Sequence, residues 1–355
     1  MSRSSPPPIF EVTSTTRLAS LWSNYGHIDR LHLAAAPHTL ILKSVRPPAV
    51  AHPDESHVRK LLSYAVERWF YRTLAARLPP AVKTAQAYPP PRDADHSLLL
   101  EDLATAYAHP ASGSLARDAA RCVLRWLAGF HGAFYRIHTR GGVLPLVPPP
   151  LEWQEGAADE GVWRRGTYWY LDTRREELAQ TEEAEYGWLL PWVEQVNDAV
   201  GREIEQYGTL VHGDVKGANI VFSRDPYPWR GNKATPAIDE PLRCALYDLQ
   251  YVGLGLSTYD LVYFLGTSVE SKLLKSIDDE KVLLQDYFEA LTAVTADNQT
   301  SPSEYTFDTF WMHWELAIVD WYRFMAGWGF WGNDRWVQRR AKGIVKSWTQ
   351  SGFPL

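Results

Sequence analysis

Residues 212–219 read HGDVKGAN, and Asp248 stands in YDLQ at the close of the apolar run CALY. An Asp and an Asn five positions apart, flanked by the strand-like LVHGD and NIVFS, put a carboxylate and an amide on one loop. The separation between Asn219 and Asp248 leaves room for a β-hairpin that would set the two side by side, which restricts how the chain can fold. Phosphoryl transfer needs a carboxylate near the acceptor hydroxyl and oxygen ligands for the magnesium that neutralises a triphosphate. The spacing predicts Asp214 as proton acceptor and Asn219 and Asp248 as metal ligands, with Lys216 as a point charge on the transferring phosphate. The bland alternative is a polar turn between strands and a strand-end Asp.

A chain of 355 residues buries a sizeable core and suits either one large two-lobed domain or two ordinary ones, of which two lobes are expected. With 36 basic and 42 acidic residues its formal charge is -6, so no basic field invites nucleic acid or an anionic membrane. Cys122 and Cys244 are too few for a disulfide framework, which points to a reducing, cytoplasmic setting. The start, MSRSSPPPIF, holds no apolar core of secretory-signal length, and no later run reaches the length of a membrane span. Small molecules are the expected partners, and no obligatory protein partner is evident.

Residues 1–10, with three consecutive prolines, are expected to be a flexible leader. LASLW, IDRLHL and TLILKSV suggest a small sheet over 18–45, with Lys43 inside its last strand. Residues 55–78 contain no Gly and no Pro before the end of the segment, and their apolar spacing predicts a helix carrying Glu67. LLLEDLA (98–104) is a short strand with an acidic exit, and the lobe boundary is placed there: a nucleotide-binding lobe over 1–104 and a catalytic and substrate-binding lobe over 105–355. A long helix over 115–138 ends in GFHGAFYRIH, and RGGVLPLVPPP (140–150) is expected to break regular structure. Residues 170–206 are acidic and mostly helical, and 224–241 is expected to be an exposed loop.

LLLEDLA, the helix with GFHGAF, HGDVKGAN and YDLQYVGLGLSTYDLVYFL together resemble the superfamily of aminoglycoside phosphotransferases and choline kinases, in its choline-kinase-like and ecdysteroid-kinase-like branch. The resemblance implies an α+β, two-lobed protein-kinase-like fold, with a small antiparallel-sheet lobe and a larger, mainly helical one. It implies ATP and magnesium as cofactors, Asp214 as catalytic base, and His212 and Asp260 as supports of the catalytic loop. Helix capping is a second, compatible reading of Asp260. It further implies that Lys43 contacts the α- and β-phosphates, held by Glu67, and that adenine meets the backbone of Glu101, Asp102 and Leu103. Two departures stand out: no G-x-G-x-x-G occurs, with only Gly26 in SNYGHID near that position, and the metal motif reads DLQ rather than DFG.

Residues 249–259 are too short to form a peptide platform before Asp260, which points to a small-molecule acceptor bearing a hydroxyl. Seven of the 16 tryptophans lie in the last 45 residues, and Trp314, Trp321 and Trp328 recur at helical spacing beside Glu315. They are read as core packing, with direct acceptor contact by Trp314, Glu315 and Trp321 as the alternative. Two further readings remain: a nucleotide-binding pseudokinase scaffold, and an aminoglycoside-type antibiotic phosphotransferase suited by the acidic segment 175–185.

Overall fold

The computed structural model describes residues 10–90, 96–139, 144–154, 160–227, 240–297 and 305–355. β-Branched and aliphatic runs pair into an antiparallel sheet of order β1-β2-β3-β5-β4, formed by β1 (Val12–Ser20), β2 (Gly26–Leu33), β3 (Thr39–Val45), β4 (Ala87–Tyr88) and β5 (Leu98–Glu101). Between β3 and β4 runs α1 (Glu55–Thr73), started by Asp54, whose carboxylate accepts from His57 N at 2.7 Å. Its buried face carries Leu62, Val66, Trp69 and Phe70 at helical spacing.

β6 (His109–Pro110) leads to α2 (Arg117–Ala133), a helix buried along most of its length, followed by β7 (Leu146–Val147) and β8 (Val162–Trp163). Next come α3 (Arg175–Ala179), α4 (Glu183–Tyr186), α5 (Val193–Tyr207) and β9 (Thr209–Val211). β10 (Ile220–Phe222) and β11 (Cys244–Leu246) form an antiparallel pair with Ile220 opposite Leu246. β12 (Gly253–Gly255) pairs with β8 and β9, and then α6 (Thr258–Ser268), α7 (Ile277–Asp297), α8 (Phe307–Trp328) and α9 (Asp334–Ser351) complete the helical body. An antiparallel sheet on one side and a helical body on the other make a two-lobed α+β molecule.

Several expectations need correction. β1 begins at Val12 rather than near Leu18, while Leu21 and Trp22 leave the sheet for a one-turn helix over Trp22–Asn24. All of β1 is exposed, so no alternation of apolar residues marked it. Phe10, assigned to the leader, packs edge-on against Tyr88 at 5.5 Å, and residues 1–9 lie outside the described residues. Within 140–150 a short strand forms at Leu146–Val147, and 140–143 lie outside the description. Of the excursion 224–241, residues 228–239 lie outside it too, while Tyr227 is buried.

Of the tail's tryptophans Trp314, Trp321, Trp336 and Trp348 are core, whereas Trp328, expected to pack with them, is 51% exposed at the end of α8. Trp314 and Trp321 are wholly buried, which removes them from direct acceptor contact. Trp314 Nε1 and Trp336 Nε1 donate to the buried Glu280 at 3.3 and 2.7 Å, and Arg340 Nε reaches the same carboxylate at 2.9 Å. One acid thereby ties α7, α8 and α9 together. Glu315, also named for the acceptor, accepts from Trp311 Nε1 at 3.2 Å.

Candidate active site

The β10–β11 pair ends with Asn219 on one side and Tyr247 on the other, joined by Tyr247 N donating to Asn219 O at 3.2 Å. Asp248 follows directly, in the left-handed region at φ 67°, uncommon for a residue other than glycine. That turn aims its carboxylate at Lys43, whose Nζ lies 3.0 Å from Asp248 Oδ1 and 2.7 Å from Glu67 Oε2. Sheet, α1 and helical body meet at this one ammonium. Lys43 and Glu67 are 6% and 1% exposed, and charges so deep in a protein persist only when paired. Burial alone would lower the Lys43 pKa, but Asp248 and Glu67 outweigh it and hold the ammonium charged. Burial raises Glu67, partly offset by Lys43. For Asp248 burial is overcome by Lys43, which holds the carboxyl below its ordinary range.

Asp214 lies in the turn between β9 and β10. Its Oδ2 accepts from Lys216 Nζ at 2.9 Å and from Asn219 Nδ2 at 2.9 Å. Among the described residues Oδ1 is buried with no partner at hydrogen-bond distance, although the Tyr263 hydroxyl acts on this carboxylate and itself accepts from Tyr168 Oη at 3.1 Å. Burial raises the Asp214 pKa against the pull of Lys216. A largely desolvated carboxylate with one open oxygen is disposed to take a proton.

The turn itself is held from below. Asp260, 1% exposed in the first turn of α6, accepts from His212 N at 2.6 Å and Gly213 N at 2.9 Å. Its side chain serves the loop rather than capping its own helix. Gly213 has φ 83°, and a Cβ there would stand 2.3 Å from Tyr251 O, so only glycine fits. His212 Nε2 lies 3.1 Å from Tyr247 O, which ties the loop to the residue before Asp248.

A cleft of ≈ 400 Å³ opens between the sheet and these loops, lined by Leu18, Ile41, Lys43, Leu100, Val221 and Asp248, with the 101–104 backbone at its edge. Its size and its mix of apolar walls with a few charges are those of a small-molecule site. Glu101 and Asp102 line this cleft with their side chains paired, to Lys83 at 2.5 Å and to Arg30 at 2.6 Å. Gly26 has a structural reason of its own: a Cβ would come within 1.9 Å of Ser44 O.

Among the described residues no group of three or more His, Cys, Asp or Glu gathers as a metal cluster. The donor set is instead the amide of Asn219 and the carboxylate of Asp248, hard oxygens beside a cleft. It fits magnesium, which takes one or two protein oxygens and completes its shell with waters and phosphates.

Sequence reasoning missed His131, wholly buried, whose Nε2 lies 3.0 Å from Asp260 Oδ2 and whose Nδ1 lies 2.7 Å from Tyr287 Oη. A lone His in the apolar helix motif GFHG was the available signal. It also missed Tyr168, Tyr263 and Trp22, the last of these 86% exposed at the cleft mouth.

The ecdysteroid kinase-like family model matches residues 166–299, the stretch that contains Asp214, Asn219, Asp248 and Asp260. Choline kinase from Cryptosporidium parvum superposes with a TM-score of 0.52 at 9% identity, covering 96% of this chain and 91% of that one. A putative aminoglycoside phosphotransferase from Ralstonia eutropha gives 0.46 at 14% identity, covering 97% and 92%. An ethanolamine kinase from Plasmodium vivax gives 0.43 at 10%, covering 96% and 83%. No curated protein matches the chain in sequence. The chain has the two-lobed protein-kinase-like fold, and its resemblance to the ecdysteroid kinase-like branch holds over the matched residues.

Proposed function

We propose that this protein is a small-molecule kinase that moves the γ-phosphoryl group of ATP to a hydroxyl of its acceptor. The meeting of Lys43, Glu67 and Asp248 at one cleft, tied through Tyr247 to the loop on which Asn219 holds Asp214, carries the reading. The nucleotide lies under the sheet formed by β1 to β5, with adenine on the backbone of 101–103 and Lys43 on the α- and β-phosphates. The acceptor lies against residues 105–355. Magnesium held by Asn219 and Asp248 supplies charge neutralisation for the phosphate oxygens.

Asp214 takes the proton of the acceptor hydroxyl as its oxygen bonds to the γ-phosphorus. The bond from that phosphorus to the β,γ-bridging oxygen breaks, and ADP leaves. Lys216 meets charge building on the transferred group. Glu67 keeps Lys43 extended, while Asp260 and His212 keep the loop in register. Most of the acceleration comes from positioning and electrostatics, so Asp214 acts on turnover more than on folding.

After Asp248 the chain passes through the buried β12 straight into α6, which supports a small acceptor rather than a peptide. Within the acidic segment 175–185 Glu177 pairs with Arg174, while Glu176, Glu182, Glu183 and Glu185 are exposed, a solvated face that does not by itself select a polycationic acceptor. No helix among the described residues is long and apolar enough to cross a membrane.

A panel of amino alcohols, sterols, nucleosides and aminoglycosides incubated with ATP labelled at the γ-phosphate tests the reading. Label should pass to one class and fall by at least about a thousandfold in Asp214→Asn, given what general-base catalysis and positioning contribute together. Full transfer by Asp214→Asn overturns the assignment of the base. An ATP-binding protein that neither labels any acceptor nor hydrolyses ATP in an Asp214-dependent way is a scaffold.

A further inference from the structure

Gln250, the last residue of DLQ, has no part in the chemistry above, yet it is bonded on both sides. Its Nε2 donates to Asp248 Oδ1 at 2.8 Å, and its Oε1 lies 3.1 Å from Ser63 Oγ, whose one proton it shares with Lys60 O at 2.8 Å. A carboxylate only accepts, so the amide's NH₂ end must face Asp248. The backbone of Gln250 is fixed as well, with its carbonyl accepting from Trp163 Nε1 at 2.8 Å. Leu249 between them is wholly buried, and its backbone N–H donates to Glu67.

Ser63 and Glu67 lie one turn apart on α1, so neighbouring positions of that helix reach Asp248 by two routes. Glu67 acts through Lys43 and Ser63 acts through Gln250. Both routes end on the same oxygen, Oδ1, and leave Oδ2 of Asp248 without a donor among the described residues. We propose that Gln250 is a positioning residue that, anchored by Ser63, presents the free oxygen of Asp248 to the divalent cation. The inference rests on the reading of Asp248 as a metal ligand. It gives DLQ a physical meaning, since a side chain lacking an amide at position 250 would lose the link from α1 to this carboxylate.

Calorimetric titration of the whole protein with ADP, with and without magnesium, tests it without turnover. Gln250→Ala should weaken magnesium-dependent ADP binding by roughly tenfold or more, the scale on which outer-sphere partners of metal ligands act, and leave metal-free ADP binding unchanged. In turnover it should raise the magnesium concentration for half-activation while kcat at saturating magnesium stays near wild type, a split that mere structural damage does not produce. Ser63→Ala, whose loss is one hydroxyl, should show the same change to a smaller degree. The double variant should be no worse than Gln250→Ala, because both substitutions cut one chain. Wild-type magnesium dependence in both single variants, with Asp248→Asn losing it, overturns the role of Gln250 alone. Retained magnesium dependence in Asp248→Asn overturns the underlying reading.

Discussion

Lys43 shows how little a buried charge reveals about stability and how much about use. Its ammonium is enclosed by Glu67 and Asp248 and stands 5.5 Å from the Tyr64 ring centroid. Desolvating such groups offsets most of their attraction, so an apolar pair of similar volume folds as well, whereas removing one partner strands the other. Lys43→Met should therefore cost about 3 kcal/mol, the lower end for breaking a buried pair, because Glu67 stays 1% exposed without its cation. Lys43→Met with Glu67→Leu should regain most of that loss in urea denaturation while turnover stays absent in both. A double variant no more stable than the single one would refute a pair kept for function. Lys43 was legible because a charge inside an apolar strand needs a partner, and Asp214 and Asn219 because their spacing is set within one loop. The links from Ser63 to Gln250 and from His131 to Asp260 were not, because they span 187 and 129 positions and only tertiary packing selects them.

Elements were legible in proportion to how one-sided their burial is. α5 buries one stripe and reveals it by period, whereas β1 is exposed throughout and β12 is three residues long with two glycines. The turn between β1 and β2 illustrates the consequence. Read as a strand end, it is a one-turn helix with Ser23 and Asn24 at φ 54° and 60°, and it projects Trp22 over the cleft. An indole occupies the rim where a glycine-rich loop is lacking. Trp22→Ala should raise the dissociation constant for ADP several-fold, from lost stacking of about 1 kcal/mol, with Tm unchanged because an 86% exposed ring supports no core. Equal ADP affinity in the two proteins by calorimetry would rule that contact out. At the far end of the molecule, Glu280 is the corresponding element-scale test. Glu280→Ala leaves Arg340 and two indole N–H groups without their acceptor and should cost about 3–5 kcal/mol. Chemical denaturation measures it, and a change below about 1 kcal/mol, the scale of a surface ion pair, would show that the carboxylate does not clamp the three helices.

Across the whole molecule, the helical body is stapled by charged groups placed inside apolar packing, which ties its stability to pH. Asp320 holds Arg323 at 2.6 Å, Glu280 holds Arg340, and His313 joins α8 to α5 through Glu203 Oε2 at 2.8 Å. The other ring nitrogen of His313 lies 3.0 Å from Tyr305 Oη, and the Tyr207 ring packs beside it at 5.3 Å. Two lobes and a helical majority could be inferred from composition and spacing, but these cross-links could not, since each joins residues whose separation follows no period. Burial lowers the His313 pKa below its ordinary value, against the pull of Glu203, so the folded protein keeps the ring neutral where the unfolded chain protonates it. The native state then binds fewer protons as pH falls below about 6.5, and the stability His313 contributes is full above that value and lost on acidification toward its folded pKa. His313→Gln keeps a polar group at the site without a titrating ring. Its Tm deficit relative to wild type should be largest at pH 7–8 and shrink steadily toward pH 5. A deficit that stays constant across that range in thermal melts would mean that His313 does not titrate on unfolding and that the α5–α8 contact is indifferent to pH.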